Sequence, residues 1–258
     1  MKYLLGFVFV TGSFLAPLQA RQETGFLNRT VRVKGVAYKY QVYVPAEWSK
    51  NKKWPVILFL HGSGERGDDG MAQTQVGIGG AIRLHSERVP AVVVMPQCPK
   101  EKWGSEPEIE EMVMATLEAS VKQFHGDRAR IYLTGVSMGG YGTFALGARR
   151  PGQFAALVPI CGGVRLPRRL LPAGSEEPAG DPYQDAARKI GKTPIWIFHG
   201  GADPTVPVTE SQKMVEALKA AGADPKYTEY PRVGHNSWDK AYAEADLWKW
   251  LFEQRLNR

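Results

Sequence analysis

Residues 130–147 read Arg-Ile-Tyr-Leu-Thr-Gly-Val-Ser-Met-Gly-Gly-Tyr-Gly-Thr-Phe-Ala-Leu-Gly. The β-branched and aromatic run Ile131–Thr134 predicts a buried strand, and the small and apolar residues of Met138–Arg149 predict a helix packed closely on a sheet. Between them lies Gly135–Gly139, a G-x-S-x-G sequence at a strand-to-helix turn. In this context a serine can be held on a sharp turn as a nucleophile. The alternative is a glycine-rich packing turn with an incidental serine.

The glycines of this turn explain how it could expose Ser137. A serine at the tip of a sharp turn adopts a strained backbone conformation, and its neighbours two positions away must be small for strand and helix to approach. The hydroxyl would then stand clear of the sheet at a helix N-terminus, which favours developing negative charge. Ser137 is therefore the candidate nucleophile.

The rest of the chain alternates predicted strands with predicted helices. The predicted strands are Thr30–Lys34, Tyr38–Val44, Pro55–Leu60, Ala91–Met95, Ile131–Thr134, Ala155–Ile160, Pro194–Phe198 and Lys226–Tyr230, and the predicted helices are Val76–Leu84, Pro107–Phe124, Met138–Arg149, Ala186–Ile190, Val208–Ala221 and Asp239–Leu256. The first two strands flank a turn at Gly35, which predicts an antiparallel hairpin at a sheet edge. The later alternation predicts a mostly parallel α/β sheet with helices on both faces and a site at the carboxyl ends of the strands.

The first twenty residues are expected to be a secretory signal peptide. Lys2 provides the positive start, Leu4–Leu15 is an apolar run, and Leu18-Gln19-Ala20 resembles a cleavage site. The alternative, an uncleaved anchor, is disfavoured because the run is shorter than the roughly 20 residues of a membrane span. The protein is therefore expected to be secreted or periplasmic, without stable membrane insertion.

The distribution of basic residues argues against a nucleic-acid partner, and the positions of the two cysteines argue against a disulfide. The chain carries a formal charge of +7, but its basic residues form short scattered groups without interleaved aromatic residues, so no nucleic-acid partner is expected. Cys98 and Cys161 each follow a predicted strand, and no pattern of metal ligands surrounds them. Two other strands should lie between the strands that these cysteines follow, which places the cysteines roughly 14 Å apart. Two buried free thiols are therefore favoured over the disulfide that an oxidising compartment would allow.

A serine nucleophile needs a base, and the chain has five histidines. His235 lies between the last strand and the last helix, on a loop that could reach Ser137, and is the candidate base. His61 and His199 each directly follow a strand in a His-Gly pair, where structural hydrogen bonding is the better interpretation.

The base in turn needs an orienting carboxylate. Asp203 and Asp224 both lie in Ala-Asp-Pro turns, but Asp203 follows a strand whereas Asp224 precedes one, at the opposite edge of the sheet. Asp203 is therefore the candidate acid. The chain order Ser137, Asp203, His235 is that of the α/β-hydrolases.

Four stretches carry a family resemblance, namely Leu60–Gly67 (Leu-His-Gly-Ser-Gly-Glu-Arg-Gly), Gly135–Gly142, His199–Pro207 and Gly234–Trp238. With them the chain resembles an α/β-hydrolase of the secreted carboxylesterase type, near the phospholipase/carboxylesterase, feruloyl-esterase and polyhydroxybutyrate-depolymerase-like enzymes. The resemblance implies that residues 21–258 form a single catalytic domain that hydrolyses carboxylic esters through an acyl-enzyme, without a metal or other cofactor. A serine peptidase of prolyl-oligopeptidase-like type is the alternative, and an acyltransferase or an inactive polymer-binding module also stays open.

The same resemblance implies an oxyanion hole built from backbone N–H groups. One belongs to Met138, and the other to the loop after the first His-Gly pair, for which Ser63 is the candidate. Glu65 and Arg66 are expected to brace this loop.

Two tryptophans are candidates for contact with substrate. Trp103 and Trp238 both lie on predicted carboxyl-end loops, where a flat apolar wall suits an aryl group or a sugar face; packing under the loops is the alternative. Residues 164–182 are predicted to form a surface loop beside the site, too short for a cap domain. The expected partner is a small-molecule or polymer-linked ester, and neither its acyl group nor the oligomeric state can be read from the sequence.

Overall fold

The computed structural model describes residues 23–102, 106–165 and 180–256. The strands are β1 Gly25–Val33, β2 Val36–Val44, β3 Trp54–Leu60, β4 Val92–Pro96, β5 Gly126–Val136, β6 Ala156–Ile160, β7 Trp196–Gly200 and β8 Lys226–Tyr230. The helices are α1 Ile78–His85, α2 Pro107–Gln123, α3 Met138–Arg149, α4 Pro182–Ile190, α5 Thr209–Ala220, α6 Trp238–Ala243 and α7 Ala245–Glu253, with 3₁₀ turns at Ser63–Glu65, Ala72–Thr74 and Ser86–Arg88.

All of these strands form one sheet in the order β1-β2-β4-β3-β5-β6-β7-β8. β1 and β2 form the antiparallel hairpin that the sequence predicts, and β2 is also antiparallel to β4. From β4 to β8 each neighbouring pair is parallel. The prediction of a mostly parallel sheet with an antiparallel edge is confirmed, and the carboxyl ends of β3, β5, β6, β7 and β8 lie along one edge.

Helices cover both faces of the sheet. On one face α2, α3 and α5 bury Met112, Phe144 and Met214. On the other, α1 and α6 bury Ile82 and Tyr242. The central strands are covered on both sides, which explains their continuous apolar sequences. Burying each of these large apolar side chains contributes roughly 1.5–3 kcal/mol to the free energy of folding.

The end of the chain differs from its prediction. The sequence predicts one closing helix over Asp239–Leu256, but α6 and α7 are separate helices because Glu244 between them is extended, with φ −64° and ψ 115°. The break allows Trp248 Nε1 to donate to the carbonyl of Tyr242 at 2.9 Å. That contact satisfies a carbonyl that the end of α6 leaves without an intrahelical partner.

Three other elements begin at least four residues earlier than predicted. β1 begins at Gly25 instead of Thr30 and pairs with β2 from that residue on. α4 begins at Pro182 instead of Ala186, because the Asp181 side chain accepts from the N–H of Tyr183 at 2.9 Å and caps the helix. β5 begins at Gly126, which pairs with Trp54 beyond a register shift between β3 and β5.

Cys98 and Cys161 follow β4 and β6, which have β3 and β5 between them, as expected. Both are buried free thiols. Burial raises the pKa of each thiol to about 12, so both stay protonated at neutral pH.

Three sequence predictions lie outside the described residues: the signal peptide, Trp103, and the part of the predicted surface loop between 166 and 179. Within the described ranges, every helix is too short or too polar to cross a membrane.

Candidate active site

Ser137 occupies the turn between β5 and α3 in a backbone conformation that is rare for residues with a side chain. Its φ is 54° and its ψ is −115°. A Cβ on Gly135 would overlap the carbonyl of Gly139, and a Cβ on Gly139 would overlap the carbonyl of Leu60. The G-x-S-x-G pattern is therefore required by close backbone packing, and it leaves the serine at the tip of the turn.

Three loops at the carboxyl edge bring Ser137, Asp203 and His235 together. His235 Nε2 lies 2.8 Å from Ser137 Oγ, and His235 Nδ1 lies 2.7 Å from Asp203 Oδ2. Because a carboxylate only accepts hydrogen bonds, Nδ1 carries the proton and Nε2 accepts from the serine hydroxyl. In this geometry the imidazole can take the serine proton as Oγ attacks an electrophile.

The carboxylate of Asp203 is buried, with a side-chain exposure of 0%. Its Oδ1 accepts from the backbone N–H groups of Thr205 at 2.8 Å and Val206 at 2.9 Å. Burial by itself would raise the pKa of Asp203, but contacts with His199, His235 and these two N–H groups outweigh it and hold the pKa well below its ordinary value. Asp203 is therefore ionised at neutral pH, and its Oδ2 can orient the His235 ring.

His199 lies beneath this acid and is fully buried. Its Nε2 is 3.0 Å from the carbonyl of Val206 and 3.4 Å from Asp203 Oδ2, and its Nδ1 is 2.6 Å from Ser211 Oγ. Since a carbonyl must receive a donor, Nε2 carries the proton and Nδ1 accepts from Ser211. The prediction that His199 makes structural hydrogen bonds is confirmed. One of its partners, the Val206 carbonyl, belongs to the loop that carries Asp203.

His61 has the corresponding place under the loop after β3. The N–H of Cys98 donates to His61 Nε2 at 2.9 Å, so Nδ1 carries the proton and donates to the carbonyl of Gly62 at 2.6 Å. Burial lowers the pKa of His61 to about 4, so the ring is neutral at neutral pH. The Gly62 carbonyl and the Ser63 N–H belong to one planar trans peptide and point in opposite directions. His61 therefore sets the direction of the Ser63 N–H.

Ser63 and Met138, the expected oxyanion-hole residues, each begin a helical turn. Ser63 is the first residue of a 3₁₀ turn and Met138 the first residue of α3. N–H groups at such positions have no partner within the helix. In the described parts of the chain neither of these N–H groups has an acceptor, so both are free to bind a ligand oxygen.

A cavity of about 120 Å³ lies beside Ser63 and Ser137. It is lined by Gly62, Ser63, Gly64, Glu65, Val76, Val136, Ser137, His235 and Trp238. The ring of Trp238 meets the ring of His235 edge-on, with the centroids 5.6 Å apart. Trp238 is the first residue of α6, not a loop residue as predicted, and it forms part of the cavity wall.

The loop after β3 is braced by the two expected side chains, Glu65 and Arg66, and by Gln97, which was not expected. Arg66 Nε donates to the carbonyl of Ser63 at 3.0 Å. Gln97, at the end of β4, donates to the backbone carbonyl of Glu65 at 3.0 Å and accepts from the N–H of Gly70 at 2.7 Å. No local pattern marks Gln97, because its partners are remote in sequence. The Glu65 carboxylate accepts from the N–H of Gly62 in the same loop, and Glu65 is also one of the residues that line the cavity.

The sequence pattern of the dienelactone hydrolase family matches residues 97–249, a span that contains Ser137, Asp203 and His235. A putative carboxymethylenebutenolidase from Methylorubrum extorquens is 34% identical over 127 residues, which are 48% of this chain and 40% of that protein. Acyl-protein thioesterase 1 from Gibberella zeae is 30% identical over 108 residues, 42% of each protein. The matched regions thus span about two fifths of the length of these curated relatives.

Solved structures resemble the chain over most of its length. A thermostable esterase superposes with a TM-score of 0.74 and 32% identity, covering 89% of this chain and 63% of that one. A ferulic acid esterase superposes with a TM-score of 0.67 and 18% identity, over 88% of this chain and 97% of that one. An acylaminoacyl peptidase from Pyrococcus horikoshii reaches 0.68 at 20% identity, over 91% and 42%. At these last two identities the likeness concerns the fold alone, which is that of the α/β-hydrolases.

Proposed function

This chain belongs to the dienelactone hydrolase family, and we propose that it is a serine hydrolase of carboxylic esters. The observation that carries the proposal is the continuous hydrogen-bonded chain from Ser137 through His235 to Asp203, with the serine on a strained turn. Its likeness to a thermostable esterase at 32% identity supports the same reaction.

Formation of the acyl-enzyme follows from the atoms in contact. Ser137 Oγ bonds to the ester carbonyl carbon while His235 Nε2 takes its proton and the carbonyl electron pair moves onto oxygen. The N–H groups of Ser63 and Met138 hold that oxyanion, each contributing about 10²–10³ in rate. When the tetrahedral intermediate collapses, the bond to the alcohol oxygen breaks and His235 returns the proton to the alcohol.

Deacylation uses the same groups in the same order. His235 Nε2 takes a proton from water, whose oxygen bonds to the acyl carbon, and returns it to Ser137 Oγ as the acid leaves. Ionised Asp203 stabilises the imidazolium that forms in both halves of the cycle. The proposed chemistry thus uses these side chains, the two backbone N–H groups and water.

The substrate class in the proposal is short-chain, aryl or carbohydrate-linked esters. The cavity of about 120 Å³ at Ser137 supports a small acyl group, and Trp238 offers a flat apolar surface beside it. Export is part of the proposal and rests on the pattern of residues 1–20; mass spectrometry of the secreted protein would test it by showing whether the mature chain begins near residue 21.

The experiment compares the wild type with Ser137→Ala on 4-nitrophenyl acetate, butyrate, octanoate and ferulate, and on a peptide 4-nitroanilide. We expect Ser137→Ala to lose at least about 10⁴-fold in kcat on the best ester. Ser63→Ala is the matched control, because it removes a hydroxyl from the same cavity but keeps the backbone N–H, and should change kcat by less than about threefold. Equal ester rates in the wild type and Ser137→Ala would refute the proposal, and faster anilide than ester cleavage would indicate a peptidase.

A further inference from the structure

Glu65 lines the reaction cavity and carries a carboxylate to which the steps above assign no role. Glu65 ends the 3₁₀ turn that begins at Ser63, is half-buried, and lines the same cavity as Ser137 and His235. A Cβ placed on Gly62 would lie 2.9 Å from Glu65 Oε2 and 3.8 Å from Ser137 Cβ. The carboxylate and the nucleophile therefore both border the small space that Gly62 leaves open.

This carboxylate has no cationic partner among the described residues. The neighbouring Arg66 donates instead to the carbonyls of Ser63 and Lys102, at 3.0 Å and 3.2 Å. The residues that line the cavity include no Lys or Arg, and His235 is held by Asp203. Burial raises the pKa of Glu65, and only the N–H groups of Gly62 and Glu65 itself act in the opposite direction. A half-buried carboxylate without a counter-ion is costly unless a ligand supplies one.

We propose that Glu65 gives the site a charge preference, so that esters with a cationic group near the scissile bond are hydrolysed fastest and esters with a carboxylate there slowest. The inference rests on the proposed ester hydrolysis and adds the class of ester. Charges that meet in a partly water-excluded cavity interact several times more strongly than in bulk water. A substrate cation would pair with Glu65, whereas a substrate anion would face a like charge.

The formal charge of the whole chain, +7, acts in the opposite direction because it attracts anions from a distance. Salt separates the two effects, since at an ionic strength of about 0.15 M charges beyond about 8 Å are largely screened. The selectivity should therefore be measured at that ionic strength, where the local carboxylate dominates.

The test uses three phenyl acetates that differ only in the substituent meta to the ester: trimethylammonio, its uncharged isostere tert-butyl, and carboxylate. Because trimethylammonio withdraws electrons and improves the leaving group, each kcat/KM is divided by the rate at which hydroxide hydrolyses the same ester. We expect this normalised kcat/KM of the wild type at about pH 8 to fall in that order, with at least about tenfold between the cationic and the anionic ester. In Glu65→Gln the ratio should fall to within about threefold. Glu65→Asp keeps the charge and should keep the order.

Asp68→Asn is the matched control, because Asp68 is an exposed carboxylate of the same loop and does not line the cavity. It should leave both the ratio and the rate on the tert-butyl ester unchanged, and thermal unfolding shows whether each variant is folded. If the wild type prefers the carboxylate ester, or if a folded Glu65→Gln keeps the wild-type ratio, the inferred charge preference is wrong. Neither result contradicts the proposed ester hydrolysis. If the wild type hydrolyses the tert-butyl ester no faster than Ser137→Ala does, the proposed function fails and this inference fails with it.

Discussion

The two His-Gly pairs, His61-Gly62 and His199-Gly200, occupy equivalent places and serve opposite halves of the site. Each histidine stands at the carboxyl end of a parallel strand, is buried, and uses both ring nitrogens. His61 carries its proton on Nδ1 and holds the Ser63 peptide, whereas His199 carries its proton on Nε2 and lies under Asp203. The same dipeptide thus lies under the loop of the proposed oxyanion hole in one place and under the Asp203 loop in the other, because the hydrogen-bond partners of each ring decide which nitrogen carries the proton.

We expect kcat to be more sensitive to substitution of Asp203, which lies above His199, than to substitution in the loop above His61. In Asp203→Asn the amide can donate to His235 Nδ1, which places the imidazole proton on Nε2 and removes the acceptor for Ser137. We expect kcat on the best ester to fall by about 10⁴-fold, the loss known for this change in the serine-protease triad. The matched control is Asp224→Asn, an exposed residue at the opposite edge of the sheet that should keep wild-type kcat. A loss of less than about tenfold in Asp203→Asn would mean that His235 is oriented by another group.

The buried neutral ring of His61 makes stability depend on pH. Burial lowers its pKa to about 4 in the folded protein, against about 6.5 in the unfolded chain. Between these values the unfolded state binds more protons, so the stabilisation is fully present above about pH 6.5 and is lost as the pH falls toward 4. We expect a loss of up to roughly 3 kcal/mol from this group.

Urea unfolding of the wild type and His61→Asn across that pH range measures this contribution. The variant should be less stable at neutral pH and should show a shallower decline, since it lacks the titrating ring. Parallel pH curves for the two proteins would show that other groups cause the decline.

Replacing each buried histidine by Asn or by Gln should affect kcat differently at the two positions. This difference is the smallest of the effects expected here. An Asn amide can reach the position of Nδ1 and a Gln amide that of Nε2. At position 61 the donor is Nδ1, so His61→Asn should keep about tenfold more kcat than His61→Gln. At position 199 the donor is Nε2, so His199→Gln should keep more kcat than His199→Asn.

Steady-state kinetics on one ester, with the unfolding midpoint of each variant, measures this reversal. Each variant is also expected to lose about 1–3 kcal/mol of stability, because a buried partner is left unsatisfied. The same preferred amide at both positions would show that side-chain size, not proton position, governs the two sites.

Sequence periodicity correctly predicted the helices whose bounds depend on local sequence. Met138–Arg149 is a helix over the range predicted, and the helix predicted over Pro107–Phe124 ends at Gln123. The closing helix was predicted without its break, because the amphipathic pattern continues through Glu244 and no Gly or Pro marks it. The break accompanies the contact between Trp248 Nε1 and the Tyr242 carbonyl, which local preference does not show.

Glycine spacing and strand alternation are sufficient to predict the turn around Ser137, the order of its candidate partners and the edge of the sheet where they meet, since both patterns act locally. The fold was needed to show which nitrogen of each buried histidine carries the proton and that Glu65 lines the cavity. These features depend on the backbone of Cys98, on Ser211 and on Gly62, groups that folding alone brings into contact. Proton positions and charge preference follow from such contacts, and no stretch of sequence encodes them separately.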